Sequence, residues 1–300
     1  MRISIKKLGP GLLFAGAAIG VSHLVQSTRA GADFGFGLVW ALILINLFKY
    51  PFFRFGPQYA LATGETLLDG YRKLGKPILL IYFILSLATM FTIQAAVTIV
   101  TAGIASALFG GLLSVEIWTV IILAICLSVL LKGQYQFLDK LIKFIIITLT
   151  VSTILAVIVA FIESKQPLSL VQVLPQNSLE IGFLIAFMGW MPAPLDISVW
   201  HSLWAIEKGK QTQDYSYKSS LFDFNIGYVG TVIIGLGFIA LGALIMYQSG
   251  ESFSSQGSEF SAQFINMYTE SLGEWAYIII GIAAFTTMFS TTLTTLDASP

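Results

Sequence analysis

Eight stretches of about twenty predominantly apolar residues constrain this chain more than any other feature, because each is long enough to cross the roughly 30 Å hydrocarbon layer of a bilayer as a helix. They lie near residues 8–29, 36–55, 77–108, 115–132, 141–162, 181–205, 219–247 and 274–298. The third is long enough to tilt strongly or to project beyond the membrane. None shows the ten-residue alternation of a barrel strand. Composition agrees: 56% of the 300 residues are apolar and 11% are charged, which is far from a soluble surface. The expected fold is an all-α integral membrane protein with about eight transmembrane helices and no soluble domain. The longest connections, near 163–180 and 248–273, read as Ser/Gln/Pro-bearing links.

Basic residues orient the threading, since cytoplasmic segments collect Lys and Arg. With the N-terminus inside, fourteen of the sixteen fall on the cytoplasmic side or at cytoplasmic helix ends: Arg2, Lys6, Lys7, Lys49, Arg54, Arg72, Lys73, Lys76, Lys132, Lys140, Lys143, Lys208, Lys210 and Lys218. Only Arg29 and Lys165 fall outside, where the loop near 249–273 carries Glu251, Glu259 and Glu270 without Lys or Arg. The N-terminus is therefore cytoplasmic. The first apolar run is too long for a signal-peptide core and lacks an Ala-x-Ala end, so it is retained as a span.

Sixteen basic residues against sixteen acidic ones give zero net charge, which excludes an electrostatic footprint for nucleic acid. The single cysteine, Cys126, excludes an internal disulfide framework and a multi-cysteine metal cluster. Two distant histidines and no Gly-x-Ser-x-Gly motif make no catalytic constellation, so an enzyme is not expected. No resident cofactor and no obligate protein partner is implied; the partners expected are the lipid bilayer and a transported solute.

Two spans carry breakers at mid-depth. The first contains Gly11, Gly16 and Gly20 and turns polar afterwards through Ser22, His23, Gln26 and Arg29; the sixth contains Gly189, Pro192 and Pro194 around Trp190 to Asp196. Proline removes an N–H and clashes with the preceding turn, which frees backbone carbonyls. In hydrocarbon such groups are tolerated only where they line a cavity or are covered by protein. Spans one and six are five apart and hence antiparallel, the pattern of an inverted five-helix repeat with a binding site at paired broken helices. The first repeat covers about 8–162 and an incomplete second about 181–300, within one transmembrane domain, 1–300. Two full repeats need ten spans, so a fragment or a truncated gene product is expected.

Several residues at these breaks suit ion chemistry. His23 is either a ligand or proton carrier through its imidazole or a donor to a carbonyl freed near Gly20. Ser22, Gln26 and Arg29 share a face at helical spacing, for an access path or for helix packing. Asp196 supplies negative charge for a cation at mid-bilayer or caps a helix restarting at Ile197. His201 lies further along that helix, either to serve a proton exit or as a satisfied polar group near its cytoplasmic end. Asp223 and Asn225 read as solvated groups near the inner surface. The hydroxyls of Thr286, Thr287, Ser290, Thr291, Thr294 and Thr295 suit close helix packing, or contact with ion or water.

Leu8-Gly9-Pro10-Gly11, Ala30-Gly31-Ala32-Asp33-Phe34-Gly35-Phe36, Ala62-Thr63-Gly64-Glu65, Met191-Pro192 and Ser290-Thr291-Thr292-Leu293-Thr294 together resemble the NRAMP superfamily of divalent-metal transporters, over essentially the whole chain. The resemblance implies a LeuT-type inverted-repeat fold, usually with about eleven spans, and movement of manganese, iron or related ions with protons. It places the family's Asp-Pro-Gly-Asn on Gly20-Val21-Ser22-His23, so the carboxylate is lost. Its Met-Pro-His-Asn falls on Met191-Pro192-Ala193-Pro194, which keeps the thioether and loses the histidine. The residue whose carbonyl faces the ion is Met188, and the acidic pair of the third helix falls on Gln94 and Val97. The small Gly20 and Ala193 also resemble the NRAMP-related magnesium transporters, whose wider site suits a partly hydrated ion.

The expected metal ligands are therefore Gly20 and Met188 through carbonyls, His23 through its imidazole, Met191 through its thioether, which otherwise fills an irregular core, and Asp196 through its charge. The expected function is a secondary transporter of a divalent metal cation, manganese- or iron-like or magnesium, working by alternating access with weak proton coupling, in a prokaryotic plasma membrane. A symporter for a small organic solute on the same scaffold and a non-transporting sensor or scaffold are the alternatives.

Overall fold

A computed structural model describes residues 9–132, 135–163, 169–211, 215–249, 253–254 and 256–298. Arg2, Lys6, Lys7, Leu8, Lys165 and Glu251 lie outside them, and so do the side chains of Lys132, Lys140 and Lys143. The described residues are helical throughout apart from short connections, with no strand among them. The first crossing is α1 (Pro10–Ala18), a break at Ile19 and Gly20, a π-helical turn over Ser22–Ser27, and α2 (Thr28–Phe34). Its two halves are bent by 51°. Then follow α3 (Val39–Thr63), α4 (Leu67–Leu74), α5 (Lys76–Leu108), α6 (Val115–Lys132) and α7 (Tyr135–Glu163). The sixth crossing is α8 (Ser178–Trp190), a break over 191–196, and α9 (Ile197–Gln211). α10 (Tyr217–Leu241) ends in a second π turn over Gly242–Met246, and α11 (Gly257–Leu272) and α12 (Ala276–Ala298) complete the chain.

By length and composition alone, Lys76–Leu108, Tyr217–Met246 and Ala276–Asp297 can each cross a membrane, and the bent first pair adds a fourth. At 1.5 Å per residue the 33 residues of α5 reach about 50 Å, well beyond the hydrocarbon layer, as its sequence requires. α3 carries Pro51 and Pro57 inside a continuous helix. Lys49 accordingly lies about 15 Å from the start of α3 and about 20 Å from its end, at mid-helix rather than at the cytoplasmic end that hydropathy assigned to it.

The broken first crossing is held against α10 by backbone contact. A Cβ on Gly227 would fall 2.0 Å from the Gly11 carbonyl oxygen, and one on Gly242 would fall 2.2 Å from that of Thr28. Only glycine permits this approach, the small-residue packing that replaces the hydrophobic effect between helices in lipid. Asp223 of α10 is fully buried, contrary to the solvated role its sequence position suggested. Its carboxylate accepts from the Gly9 amide at 3.1 Å and the Gly11 amide at 2.8 Å, with Tyr215 Oη at 3.3 Å. It thus satisfies the amides that the start of α1 leaves without intrahelical partners. Asn225 accepts from Tyr50 Oη at 2.7 Å.

The stretch expected to be a plain link, 248–273, contains α11, whose Phe260, Phe264 and Tyr268 enter the core cluster formed with α5, α7, α10 and α12. Their spacing of four residues is helical, and the surrounding Ser and Gln masked it. α4, between spans two and three, is a short helix begun by a reciprocal cap: the Asp69 amide donates to Thr66 Oγ1 at 3.2 Å while Asp69 Oδ2 accepts from the Thr66 amide at 2.9 Å. The thiol of Cys126 is buried in a small cluster with Ala102, Ala105, Ile122 and Leu293.

Candidate functional site

The two breaks meet. Ser22 Oγ, just after the break in the first crossing, lies 3.3 Å from the Pro192 carbonyl oxygen in the break of the sixth. The Met191–Pro192 peptide is cis. Position 20 packs tightly on α12: a Cβ there would lie 2.9 Å from Thr291 Cγ2 and 3.1 Å from Thr291 Oγ1, so the Thr291 side chain would have to shift. α8 stops because Pro192 and Pro194 cannot continue its ladder, and α9 restarts where the Asp196 carbonyl accepts from Val199 N and Trp200 N.

The five expected ligands face separate partners. His23 is fully buried; its Nδ1 lies 2.8 Å from Ser22 Oγ and 3.0 Å from the Ala18 carbonyl, and its Nε2 lies 3.0 Å from the Thr231 carbonyl. A metal ligand needs a free ring lone pair, and both ring nitrogens here are engaged by protein groups. The Gly20 carbonyl accepts from the amides of Leu24 at 2.9 Å and His23 at 3.1 Å. The Met191 side chain is buried among Ala30, Leu42, Phe187 and Ile239. Asp196 Oδ1 accepts from Ser86 Oγ of α5 at 2.8 Å.

The Met188 carbonyl accepts from Lys49 Nζ at 3.1 Å, and the Gly189 carbonyl accepts from the same ammonium at 2.7 Å. Sequence reasoning missed this: an internal cation sits on the carbonyls at the broken end of α8, where a helix carries the negative end of its dipole. The only signal available was a lysine inside an apolar run. Among the described residues, no three of His, Cys, Asp and Glu are grouped as a metal site.

Other residues behave as packing elements. Arg29 donates to the Ser254 carbonyl, and its guanidinium lies 5.2 Å from the centre of the Phe260 ring. Arg29 lies on α2, beyond the π turn of Ser22–Ser27. Gln94 Nε2 reaches Thr98 Oγ1 at 3.1 Å and the Thr292 carbonyl at 3.4 Å, while Val97 is buried. His201 is buried against Phe14 at 5.6 Å between ring centres, and neither of its ring nitrogens has a hydrogen-bond partner, unlike the satisfied group expected there.

Two larger cavities lie along α5. One of about 470 Å³ is bordered by Thr89, Thr92, Gly189, Trp190 and Asp196, and one of about 930 Å³ by Lys76, Tyr82, Ser86, Trp200 and Asp297. Tyr82 borders both, and the Ser86–Asp196 bond joins their walls. The face of α5 away from them is exposed, with Ile81 and Ile84 each at 55%.

Known proteins place this architecture. The chain is 44% identical over 294 residues to an uncharacterised protein of Pasteurella multocida, covering 97% of this chain and 68% of that one. It shares its fold with a manganese transporter of Eremococcus coleocola crystallised with an aromatic bis-isothiourea compound: TM-score 0.71 at 15% identity, over 96% of this chain and 64% of that one. A variant of that transporter gives TM-score 0.70 at 14% identity, over 97% and 64%. The chain thus spans just under two thirds of the length of these transporter structures. The family model for natural resistance-associated macrophage protein-like proteins matches residues 11–299. With its two broken crossings, its all-helical transporter fold and that match over nearly its whole length, this membrane protein belongs to the Nramp family.

Proposed function

We propose that this protein is a secondary transporter that carries a divalent metal cation, manganese- or iron-like or magnesium, across a prokaryotic plasma membrane by alternating access at the paired breaks, with weak proton coupling. The observation that carries this reading is the meeting of the two breaks at Ser22 and Pro192, 3.3 Å apart, since antiparallel broken helices are the membrane-protein form of an ion site. Family membership supports a transporter rather than an enzyme.

The partners of the groups at the junction, the Lys49 ammonium and the Asp196 carboxylate among them, shape the mechanism. In this conformation the polar groups bond one another, so a cation enters by exchange: Lys49 leaves the Met188 and Gly189 carbonyls, and Asp196 turns from Ser86 toward the break. The ion keeps part of its water, because neutral oxygens and one carboxylate do not repay complete dehydration of a divalent cation. Gln94 and Val97 offer no acid on α5 to carry a proton, which supports weak coupling. Met191 would join a manganese- or iron-like ion through its soft thioether after leaving its apolar cluster.

Calorimetric titration of the purified protein with manganese, magnesium and calcium tests the reading. We expect heat with at least one ion and a loss of affinity in Asp196→Ala. The absence of binding by any of the three would refute it. A stoichiometric fall in internal pH during metal entry into proteoliposomes would refute weak coupling. The Lys49 ammonium at the junction favours a second reading, a carrier for a small solute bearing a carboxylate; displacement of bound metal by amino acids would favour that one.

A further inference from the structure

We propose that the groove along the cytoplasmic half of α5 holds one phospholipid of the inner leaflet, with its phosphate on Lys76 and its free ammonium on Asp297, a pairing that selects phosphatidylethanolamine. This adds a lipid site to a protein whose proposed cargo is a metal ion.

The groove is the larger of the two cavities beside α5, about 930 Å³, at the upper end of the roughly 300–1,000 Å³ of sites for small organic molecules. Along α5 it runs from Lys76 to Met90, about 21 Å at 1.5 Å per residue. Half a bilayer, headgroups included, is about 20–22 Å. The groove is thus one leaflet deep, and it begins at the cytoplasmic end, where α5 starts and α12 returns. Leu79, Leu80, Phe83 and Leu87 of α5 line it together with Leu203 of α9. Leu80, Phe83, Leu87 and Leu203 are exposed, so an acyl chain can enter sideways from the bilayer. Tyr82 and Trp200 add amphipathic rings, which suit the boundary between headgroups and acyl chains. Ser86 already donates to Asp196 Oδ1 at 2.8 Å and keeps no proton for a headgroup.

Charge selects the headgroup. Lys76 is the first residue of α5, and Asp297 lies one residue before the end of α12. Both are exposed and both border the groove. Neither is ion-paired with the other or with another described residue, whereas Lys73 is held by Glu65 and Lys210 by Glu207. One free ammonium and one free carboxylate on the same groove match a headgroup that carries both signs. The phosphate meets Lys76 and the cation meets Asp297. A primary ammonium brings three N–H donors to that carboxylate, and the quaternary nitrogen of choline brings none. A glycerol headgroup brings no cation, so it leaves Asp297 unpaired beside a phosphate. Bound in this way, the lipid would tie the cytoplasmic start of α5 to the end of α12.

The test uses the purified protein in detergent with EDTA present, so that its outcome is independent of the divalent reading. Native mass spectrometry counts the lipids retained and gives a dissociation constant for phosphatidylethanolamine, phosphatidylcholine and phosphatidylglycerol with identical acyl chains. We expect one saturable phosphatidylethanolamine, held about tenfold more tightly than either of the others, the effect of one charge-assisted hydrogen-bonded pair at an exposed rim. Lys76→Gln should weaken all three lipids, since all carry the phosphate. Asp297→Asn should remove the preference for phosphatidylethanolamine over phosphatidylcholine and leave phosphatidylcholine as it was. Lys210→Gln, whose side chain pairs with Glu207 and does not border the groove, should bind as wild type does. Equal affinities for the three lipids in the wild-type protein would overturn the proposal, as would retention of no lipid at all or a preference that survives in Asp297→Asn. Both variants alter exposed side chains, and the wild-type comparison of the three lipids decides without either.

Discussion

Lys49 Nζ lies 2.7 Å from the Gly189 carbonyl oxygen, so an ammonium on one crossing closes the broken end of another. A hydrogen bond from a charged donor contributes about 1.5–3 kcal/mol. Lys49→Met is therefore expected to lower stability by roughly that amount, and Lys49→Arg to recover part of it, measured by denaturant or thermal unfolding in detergent. Under the transport reading the same Lys49→Met change also removes a competing cation from the junction. Divalent affinity measured by calorimetry should then rise, on the order of tenfold for each 1.4 kcal/mol of repulsion removed.

Gly11 and Gly227 give the packing prediction. A methyl group at Gly227 would lie 2.0 Å from the Gly11 carbonyl oxygen, and one at Gly11 would lie 2.1 Å from that of Asp223. Both obstacles are backbone and cannot rotate aside, so Gly227→Ala should separate α1 from α10 and cost several kcal/mol, as overpacking of a tight contact does. A neighbouring glycine with open space around it, Gly230, is the control: Gly230→Ala should be neutral or slightly stabilising in the same unfolding measurement.

His23 is expected to act as a brace for the break. Its ring spans from the Ala18 carbonyl to the Thr231 carbonyl. His23→Ala leaves the first of these without its ring partner and opens a void, so stability should fall by about 2–4 kcal/mol. Metal titration of the folded variant should retain most of the wild-type affinity. A complete loss of binding in a variant that remains folded would instead make the imidazole a ligand.

Asp69 makes the first turn of α4 sensitive to pH. The Thr66 hydroxyl and amide hold its carboxyl below the usual aspartate range, with Lys73 and Arg72 adding to the shift. A depressed carboxylate contributes stability above its unfolded value, near 4, and that contribution is lost as pH falls through the lower folded value. Hydrogen exchange over residues 67–74, corrected for intrinsic rates, should show protection falling as the medium is acidified below the ordinary aspartate range. Asp69→Asn should flatten that dependence.

The breaks were legible in the sequence because their causes are local: Gly20 and the Pro192–Pro194 pair act on their own turn, whatever packs around them. The direction of the side chains at the breaks was not. Asp196 bonds Ser86, 110 residues away, and His23 bonds Thr231, 208 residues away; nothing in either neighbourhood specifies the other. Asp223 was misjudged for the same reason, since its partners are the amides of Gly9 and Gly11. Lys49 was misplaced because hydropathy windows locate the apolar run and leave the helix end undetermined, and α3 continues through both of its prolines. α11 was overlooked because its polar residues outweigh three aromatics whose spacing was the real signal.

Two π turns, Ser22–Ser27 in the first crossing and Gly242–Met246 at the end of α10, lie side by side in the bundle. Each holds one residue more per hydrogen-bonded ring than an α turn. Letting one tighten would rotate everything beyond it by about 100° and draw it along the axis by about 1.5 Å, without unfolding any helix. Thr28, at the end of the first π turn, meets Gly242, at the start of the second, backbone to backbone. Under the transport reading, a change in one π turn would therefore be felt directly at the other.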